Sequence, residues 1–349
     1  MYGKLSKGII IMRKIFCLIL SSMILCGMSA FSASAADYTV NLDSPLSGVS
    51  VGFYGDSICA AGCEKNTDLE YVRGWAGRIG YTNDMDWINH GISAYSVSTC
   101  RGSKTIMSQL EKSEGEEHEM IILHGGTNDA WDNAPVGEMT GEDEFENSNF
   151  YNPRTFAGGL EQMFAFIEET NPDAVVGYII NFKFVNATNG VQVDIPDGNG
   201  GTKKVYRLNH MEDYVEMTKK ICDKWGVPYL DLYSNDELTN KLYPMNGGTY
   251  SNAYVPDFVH PNTAGYDIIY PYIEEFMIDI LEASQVTEAT TTLATTPAPT
   301  PTTVPETTAE ETAETKPGGC GAVMGSASVA VFTALGATAI LATKKRKTR

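Results

Sequence analysis

The chain has 349 residues, with 25 basic and 44 acidic side chains and a formal net charge of −19. A surface this acidic repels phosphate backbones, which excludes a nucleic-acid-binding role. The seven cysteines follow no zinc spacing and no ligand cluster stands out along the chain, so neither a metal nor a cofactor is expected.

Residues 1–36 hold Lys4, Lys7, Arg13 and Lys14 and no acid. An apolar run from Ile15 to Phe31 follows, closed by Ala33-Ser34-Ala35-Ala36. A basic start, an apolar middle and a small-residue end describe a secretory signal peptide, with cleavage expected after Ala35 or Ala36. Met12 also opens a signal of ordinary length and is an alternative start. Leu25 precedes Cys26 where a lipoprotein site needs a small residue, so no lipid anchor is expected there. Five cysteines remain after cleavage: Cys59, Cys63, Cys100, Cys222 and Cys320.

Residues 37–285 have the length of one domain. Apolar runs at Val49–Tyr54, Asp86–Asn89, Met120–His124, Ala174–Ile180 and Pro228–Leu232 predict five strands. They are continuous rather than alternating, the pattern of a parallel sheet covered on both faces. Helical stretches at about 58–63, 72–80, 102–113, 154–170, 209–225 and 263–283 separate them. Strand and helix in alternation predict a three-layer α/β domain, whose sites form at the carboxyl ends of the strands.

Chemistry-bearing residues fall at those ends. Gly55-Asp56-Ser57 follows the first strand and opens a helix. Ser57 reads as a helix N-cap or as an exposed nucleophile. Cys59 and Cys63 follow on one helix face, where a direct bridge would be strained. Pairing of either with Cys100 and free thiols are both open. Asn89-His90-Gly91 closes the second strand, and Gly91 allows close backbone approach. Gly125-Gly126-Thr127-Asn128-Asp129 closes the third. Asn128 reads as a turn residue or as an amide donor to an oxyanion. His90 and His124 are expected to pack or support rather than act as bases.

Asp132–Tyr151 is acidic and poor in apolar residues, a predicted loop beside the site. Val191–Asp194 and Lys204–Arg207 flank Pro196-Asp197-Gly198-Asn199-Gly200-Gly201, a predicted hairpin with a wide turn. Its acids lack calcium-loop spacing and read as turn chemistry. Asp257-Phe258-Val259-His260-Pro261-Asn262 comes last. Pro261 bars His260 from helical geometry, and Asn262 or Thr263 can cap the helix that follows. An acid three residues before a histidine can hold its imidazole in place.

Four such blocks in this order resemble those of the SGNH/GDSL hydrolase family. Gly55-Asp56-Ser57, Gly91, Gly126-Thr127-Asn128-Asp129 and Asp257-Phe258-Val259-His260 span nearly all of residues 50–265. The resemblance implies a flavodoxin-like α/β/α fold with about five parallel strands. It implies Ser57 as nucleophile, His260 as base and Asp257 as its orienter. It also implies an oxyanion hole made by the backbone N–H groups of Ser57 and Gly91 and the Asn128 side chain. Cys59-Ala60-Ala61-Gly62-Cys63 departs from the family pattern and leaves that wall of the site undefined.

Val286–Pro317 is mostly Thr, Ala, Pro and Glu and is expected to be extended and disordered. Residues 321–343, within a terminal segment 318–349, carry no charge and are long enough to span a roughly 30 Å hydrocarbon core. Lys344-Lys345-Arg346-Lys347 marks the cytoplasmic side, which would place the domain outside. The arrangement resembles a stalked, membrane-anchored surface protein. Without signal and tail, residues 37–343 hold 16 basic and 44 acidic residues, a net of −28.

The expected function is hydrolysis of carboxylic esters, with O-acetyl groups on carbohydrate as the first substrate class. Lipid esters and thioesters are the alternatives. Trp131 and Tyr254 lie near the site in sequence and could stack on sugar. Trp75 and Tyr95 are expected to pack in the core. A surface carbohydrate-binding protein without turnover is the rival from another class.

Overall fold

A computed structural model describes residues 38–60, 74–140 and 147–294, with side chains as far as Val286. Five parallel strands form the central sheet: β1 (Ser50–Gly55), β2 (Asp86–Asn89), β3 (Met120–Gly125), β4 (Val175–Ile180) and β7 (Tyr229–Asp231). Their spatial order is β2-β1-β3-β4-β7. Each predicted strand is present, with ends shifted by at most one residue. All six residues of β3 are buried, because helices cover both of its faces. β2 sits at an edge and alternates between exposed and half-buried, so its short run is not covered on both sides.

The covering layers follow from sequence-local caps. The Thr105 hydroxyl accepts from Ser108 N–H and opens α3 (Ile106–Lys112) four residues after the predicted start. Thr155 does the same for α5 (Phe156–Thr170) through Gly158 N–H. α3 packs on β1 and α5, and α5 packs on α6 (Glu212–Trp225), forming one layer. On the other face α2 (Trp75–Thr82) packs on α8 (Thr263–Ala294), and α8 lies on β4. Gly177 of β4 makes room there, since a Cβ would come within 2.9–3.0 Å of Ile280 and Phe276. The result is a three-layer α/β/α domain.

Three elements were not anticipated: α4 (Thr127–Asp132), α7 (Asp236–Leu242) and a small hairpin, β8 (Met245–Asn246) with β9 (Thr249–Tyr250). The predicted hairpin is present as β5 (Gln192–Pro196) and β6 (Thr202–Tyr206), paired antiparallel. In its turn Asp197 Oδ1 accepts the N–H groups of Asn199 and Gly201 at 2.8 and 2.9 Å. Those backbone bonds hold its carboxyl below the usual range, so the acid serves the turn. The last helix runs to Ala294, beyond the predicted start of the linker at Val286. No proline interrupts residues 286–294, and the first one after them is Pro297.

The loop expected at Asp132–Tyr151 leaves the site rather than flanking it throughout. Thr140 N–H and its hydroxyl donate to Glu161 Oε2 on α5. Ser148 N–H and hydroxyl donate to Glu169 near the end of α5, the end that leads into β4 away from the site. Lys224 Nζ meets Glu161 Oε1 at 2.7 Å, with side chains 5% and 1% exposed. Lys224→Met strands the Glu161 carboxylate and should cost about 3–5 kcal/mol, read as a lower urea midpoint. An unchanged midpoint would show that the pair does not hold this loop.

Among the described residues no helix is long and apolar enough to cross a membrane. The predicted signal peptide, the charge-free segment 321–343, the basic tail, Cys63 and residues 141–146 lie outside the described residues.

Candidate active site

β1 and β3 are neighbours, yet the chain leaves β1 for β2 before returning to β3. The loops after β1 and β3 therefore part at their carboxyl ends and open a crevice. Ser57 follows β1 and Asn128 follows β3.

The end of β1 is held by an interaction that the sequence reading missed. The Gln109 amide on α3 pairs with Gly55 as another strand would. Its Nε2 donates to Gly55 O at 2.8 Å, and Gly55 N–H donates to its Oε1 at 3.0 Å. Gly55 must be glycine, because a Cβ would lie 2.3 Å from His124 O. The fully buried Asp56 accepts Ile58 N–H at 2.9 Å and starts the short helix α1 (Ser57–Ala60). Tyr266 on α8 donates to Ile58 O and fastens that turn from the other side.

Ser57 Oγ lies 2.8 Å from His260 Nε2, across 203 residues of sequence. His260 Nδ1 lies 2.7 Å from Asp257 Oδ2. The other carboxylate oxygen accepts the N–H groups of Val259 and His260 at 2.9 and 2.7 Å. An ionised Asp257 can only accept, so Nδ1 carries the proton and Nε2 accepts from the serine hydroxyl. Burial pushes the Asp257 carboxyl up, but bonds from the His260 ring and the two backbone N–H groups outweigh it. The net effect holds it below the usual carboxylate range. The turn needs Phe258 at φ +62°, a strained setting for a bulky residue. The Tyr243 ring stacks on Phe258 and its hydroxyl donates to Phe258 O, which holds the turn. Asn262 caps α8 by accepting Gly265 N–H, as expected.

Asn128 is 6% exposed, and its Nδ2 donates to Tyr95 O at 2.7 Å. That bond fixes which way the amide faces and leaves its second N–H for a ligand. Asp129 supports the arrangement from behind. Fully buried, it accepts Val97 N–H, Ser98 N–H and the Ser98 hydroxyl at 2.6–2.8 Å, pinning the segment that carries Tyr95. Burial raises the Asp129 carboxyl despite those bonds. Its position beside Asn128 was the only sequence signal for this role.

Gly91 behaves differently from the expectation. Its N–H donates to Asn89 Oδ1 at 2.8 Å instead of standing open to the crevice. The close approach is real, since a Cβ would come within 2.9 Å of Ala60 N and 3.1 Å of Cys59 Sγ. Asn89 Nδ2 donates to Cys59 O at 2.8 Å, so this side chain ties α1 to the Gly91 turn. It also fixes the Cys59 end of the departure Cys59-Ala60-Ala61-Gly62-Cys63, of which residues 61–63 lie outside the described residues. Cys59, Cys100 and Cys222 are free thiols, so a Cys59–Cys100 bridge is not formed.

Trp131 and Tyr254 are half-buried and packed against the core edge. Trp131 O accepts Val191 N–H and Tyr254 O accepts Asn262 N–H, so both residues also serve as backbone anchors. Trp75 is fully buried, as expected. His124 is buried, and desolvation lowers its pKa against the pull of the nearby Asp56 charge, which keeps it neutral. His90 stacks on Tyr54 with ring centroids 4.7 Å apart.

A hydroxyl bonded to an imidazole bonded to a carboxylate, beside an oriented amide, is equipped for acyl transfer. The sequence matches the GDSL-like lipase/acylhydrolase family model over residues 53–268. Among solved structures it is similar to a protein from Lactobacillus plantarum, at 17% identity and a TM-score of 0.45, covering 66% of this chain and 97% of that one. It is similar to a GDSL-like lipase from Bacteroides uniformis at 16% identity and a TM-score of 0.43, covering 65% and 94%. The psychrotrophic esterase EstA from a Pseudoalteromonas species gives 15% identity and a TM-score of 0.37, covering 66% and 98%. No curated protein matches the sequence. At identities and TM-scores this low the family match alone carries the assignment. It covers more than half of the chain and includes every block from Ser57 to His260: the protein belongs to the GDSL-like lipase/acylhydrolase family and is an ester hydrolase.

Proposed function

We propose that the protein is a serine esterase that removes O-acetyl groups from carbohydrate on the outer side of the cell membrane. The observation that carries the mechanism is the continuous hydrogen-bonded path Ser57–His260–Asp257. In this reading Ser57 Oγ attacks the ester carbonyl carbon while His260 Nε2 takes its proton. Asp257 keeps the imidazole in the reactive tautomer and stabilises the imidazolium. The carbonyl oxygen becomes an oxyanion that accepts from Asn128 Nδ2–H and Ser57 N–H. The first-turn N–H of Ser57 has no acceptor within its own helix. Gly91 N–H joins them by sharing its bond to Asn89 Oδ1. His260 then protonates the departing alcohol. Water, deprotonated by the same nitrogen, hydrolyses the acyl-serine and releases the acid.

The location rests on sequence: the signal-like residues 1–36, the charge-free segment 321–343 and the basic residues after it. The carbohydrate preference rests on the half-buried aromatics Trp131 and Tyr254, close in sequence to Asn128 and Asp257, whose rings offer a sugar an apolar face. Incubating the full-length protein with acetylated xylan, acetylated peptidoglycan, short-chain glycerides and acyl thioesters tests the substrate class. Acetate release from the polysaccharides with little turnover of the others is the expected result. Turnover confined to glycerides or thioesters would overturn the carbohydrate reading while leaving the esterase intact.

Asn128→Ala removes one oxyanion donor and should lower kcat about 10²–10³-fold with little change in KM. Steady-state kinetics on a chromogenic acetate ester provide the check. A kcat within a factor of two of wild type would remove Asn128 from the oxyanion hole.

A further inference from the structure

No ligand cluster is visible along the chain, yet folding assembles one. His90 follows β2, while Glu116 and His118 precede β3. His90 Nε2 lies 2.9 Å from Glu116 Oε2, and His118 Nε2 lies 3.5 Å from the same oxygen. One ligand atom from each of the three residues lies within 4.8 Å of the other two. Each is buried, and none has a hydrogen-bond partner of acceptable geometry among the described residues. Two ring nitrogens and a carboxylate oxygen thus converge on one place without hydrogen bonds of acceptable geometry to satisfy them.

The surroundings hold the rings in that pose. The His118 side chain is 4% exposed and lies over Gly52 of β1, where a Cβ would come within 2.7 Å of its ring. Ser50 Oγ is 3.4 Å from both Glu117 O and His118 Nδ1. Its hydroxyl donates to the carbonyl and so accepts from Nδ1–H, which leaves Nε2 as the bare nitrogen. Tyr54 stacks on His90 and fixes the second ring. Neither ring contact with Oε2 has hydrogen-bond geometry, so proximity alone joins these three groups.

We propose that His90, Glu116 and His118 bind a divalent transition-metal ion, zinc foremost, through Nε2, Oε2 and Nε2. Two imidazoles and one carboxylate suit zinc in donor type and number, with a fourth position left for water. Ligands at about 2.0–2.1 Å in a tetrahedron stand roughly 3.3 Å apart. The 2.9 and 3.5 Å separations bracket that value. Glu116 is 40% exposed, which gives the ion a route in. The bound ion bridges the Asn89-His90-Gly91 turn to the segment leading into β3. It therefore braces the turn that carries Gly91. The site stands whether or not the substrate is a carbohydrate ester.

The test is a zinc titration of the purified full-length protein, stripped with a chelator, against a chromophoric zinc competitor. Thermal unfolding with and without zinc and the visible spectrum of the cobalt(II) form accompany it. The expected result is one tight equivalent, a raised melting temperature and a cobalt spectrum of low coordination number. Glu116→Gln and His118→Gln should each weaken zinc binding by about 10–100-fold or more. His260→Gln, which removes a part-exposed imidazole outside the cluster, should keep the equivalent. If His118→Gln does not fold, Glu116→Gln decides, because its side chain is part-exposed and keeps its shape. The absence of a tight equivalent in wild type, its retention in Glu116→Gln, or its loss in His260→Gln would each overturn the proposal.

Discussion

Ser57→Ala is expected to lower kcat on acetate esters by about 10⁶-fold, the scale on which loss of a serine nucleophile abolishes triad catalysis. Among the described residues the side-chain bond lost is that to His260 Nε2, and the imidazole stays partly open to solvent. The melting temperature should therefore stay close to that of wild type, and substrate should still bind. This pairing of lost turnover with retained fold separates an esterase from a surface carbohydrate-binding protein. A binding protein has no use for a serine hydroxyl on an oriented imidazole, and its ligand affinity would be the only activity to measure. Purified wild type and variant, compared in single-turnover assays, settle the matter. Turnover by Ser57→Ala at the wild-type rate would remove Ser57 from the mechanism.

The sheet was legible because its physics is local. Continuous apolar runs such as Met120–His124 can be accommodated only where both faces are covered, and β3 is buried along its whole length. Ser57 and Asn128 were legible because each follows a glycine at a strand end, and Asp257 and His260 because they stand three apart just before Pro261. The pairs that hold them were not. Gln109 reaches Gly55 across 54 residues, Asp129 reaches Val97 across 32, and Asn89 reaches Cys59 across 30. Each is an ordinary polar residue whose partner is chosen by packing rather than by spacing. The Gly91 expectation shows the same limit. The sequence shows that a glycine is there, and only the fold shows that Asn89 already occupies its N–H. The two short helices α4 and α7 carry too few residues for a periodic signal, and α4 starts from Gly126 at φ +102° without a side-chain cap.

Asp257→Asn should lower kcat about 10⁴-fold while leaving the turn folded. The reason lies in which oxygen does what. Oδ1 accepts the backbone N–H groups of Val259 and His260, and an asparagine Oδ1 can keep both bonds. Oδ2, which accepts from His260 Nδ1, becomes an NH₂ group. That group can only donate, so Nδ1 must become the acceptor and the ring proton moves to Nε2. The imidazole then offers an N–H to Ser57 Oγ instead of a lone pair, and no base remains at the serine. A kcat within tenfold of wild type would show that Asp257 does not set the tautomer. The same carboxylate gives a pH signature. Its folded pKa lies below the ordinary 3.8, so the unfolded chain takes up the proton first as pH falls. The stability it contributes is complete above the unfolded value and is lost as pH drops through the lower folded one. Melting curves of wild type and Asp257→Asn should therefore stand apart at neutral pH and converge on the acid side of 3.8. Both Asp257 and His260 are more than 40% exposed, so water screens the pair and the separation in melting temperature will be small beside the loss of rate. A separation that widened on acidification would mean that the carboxylate is destabilising in the folded state.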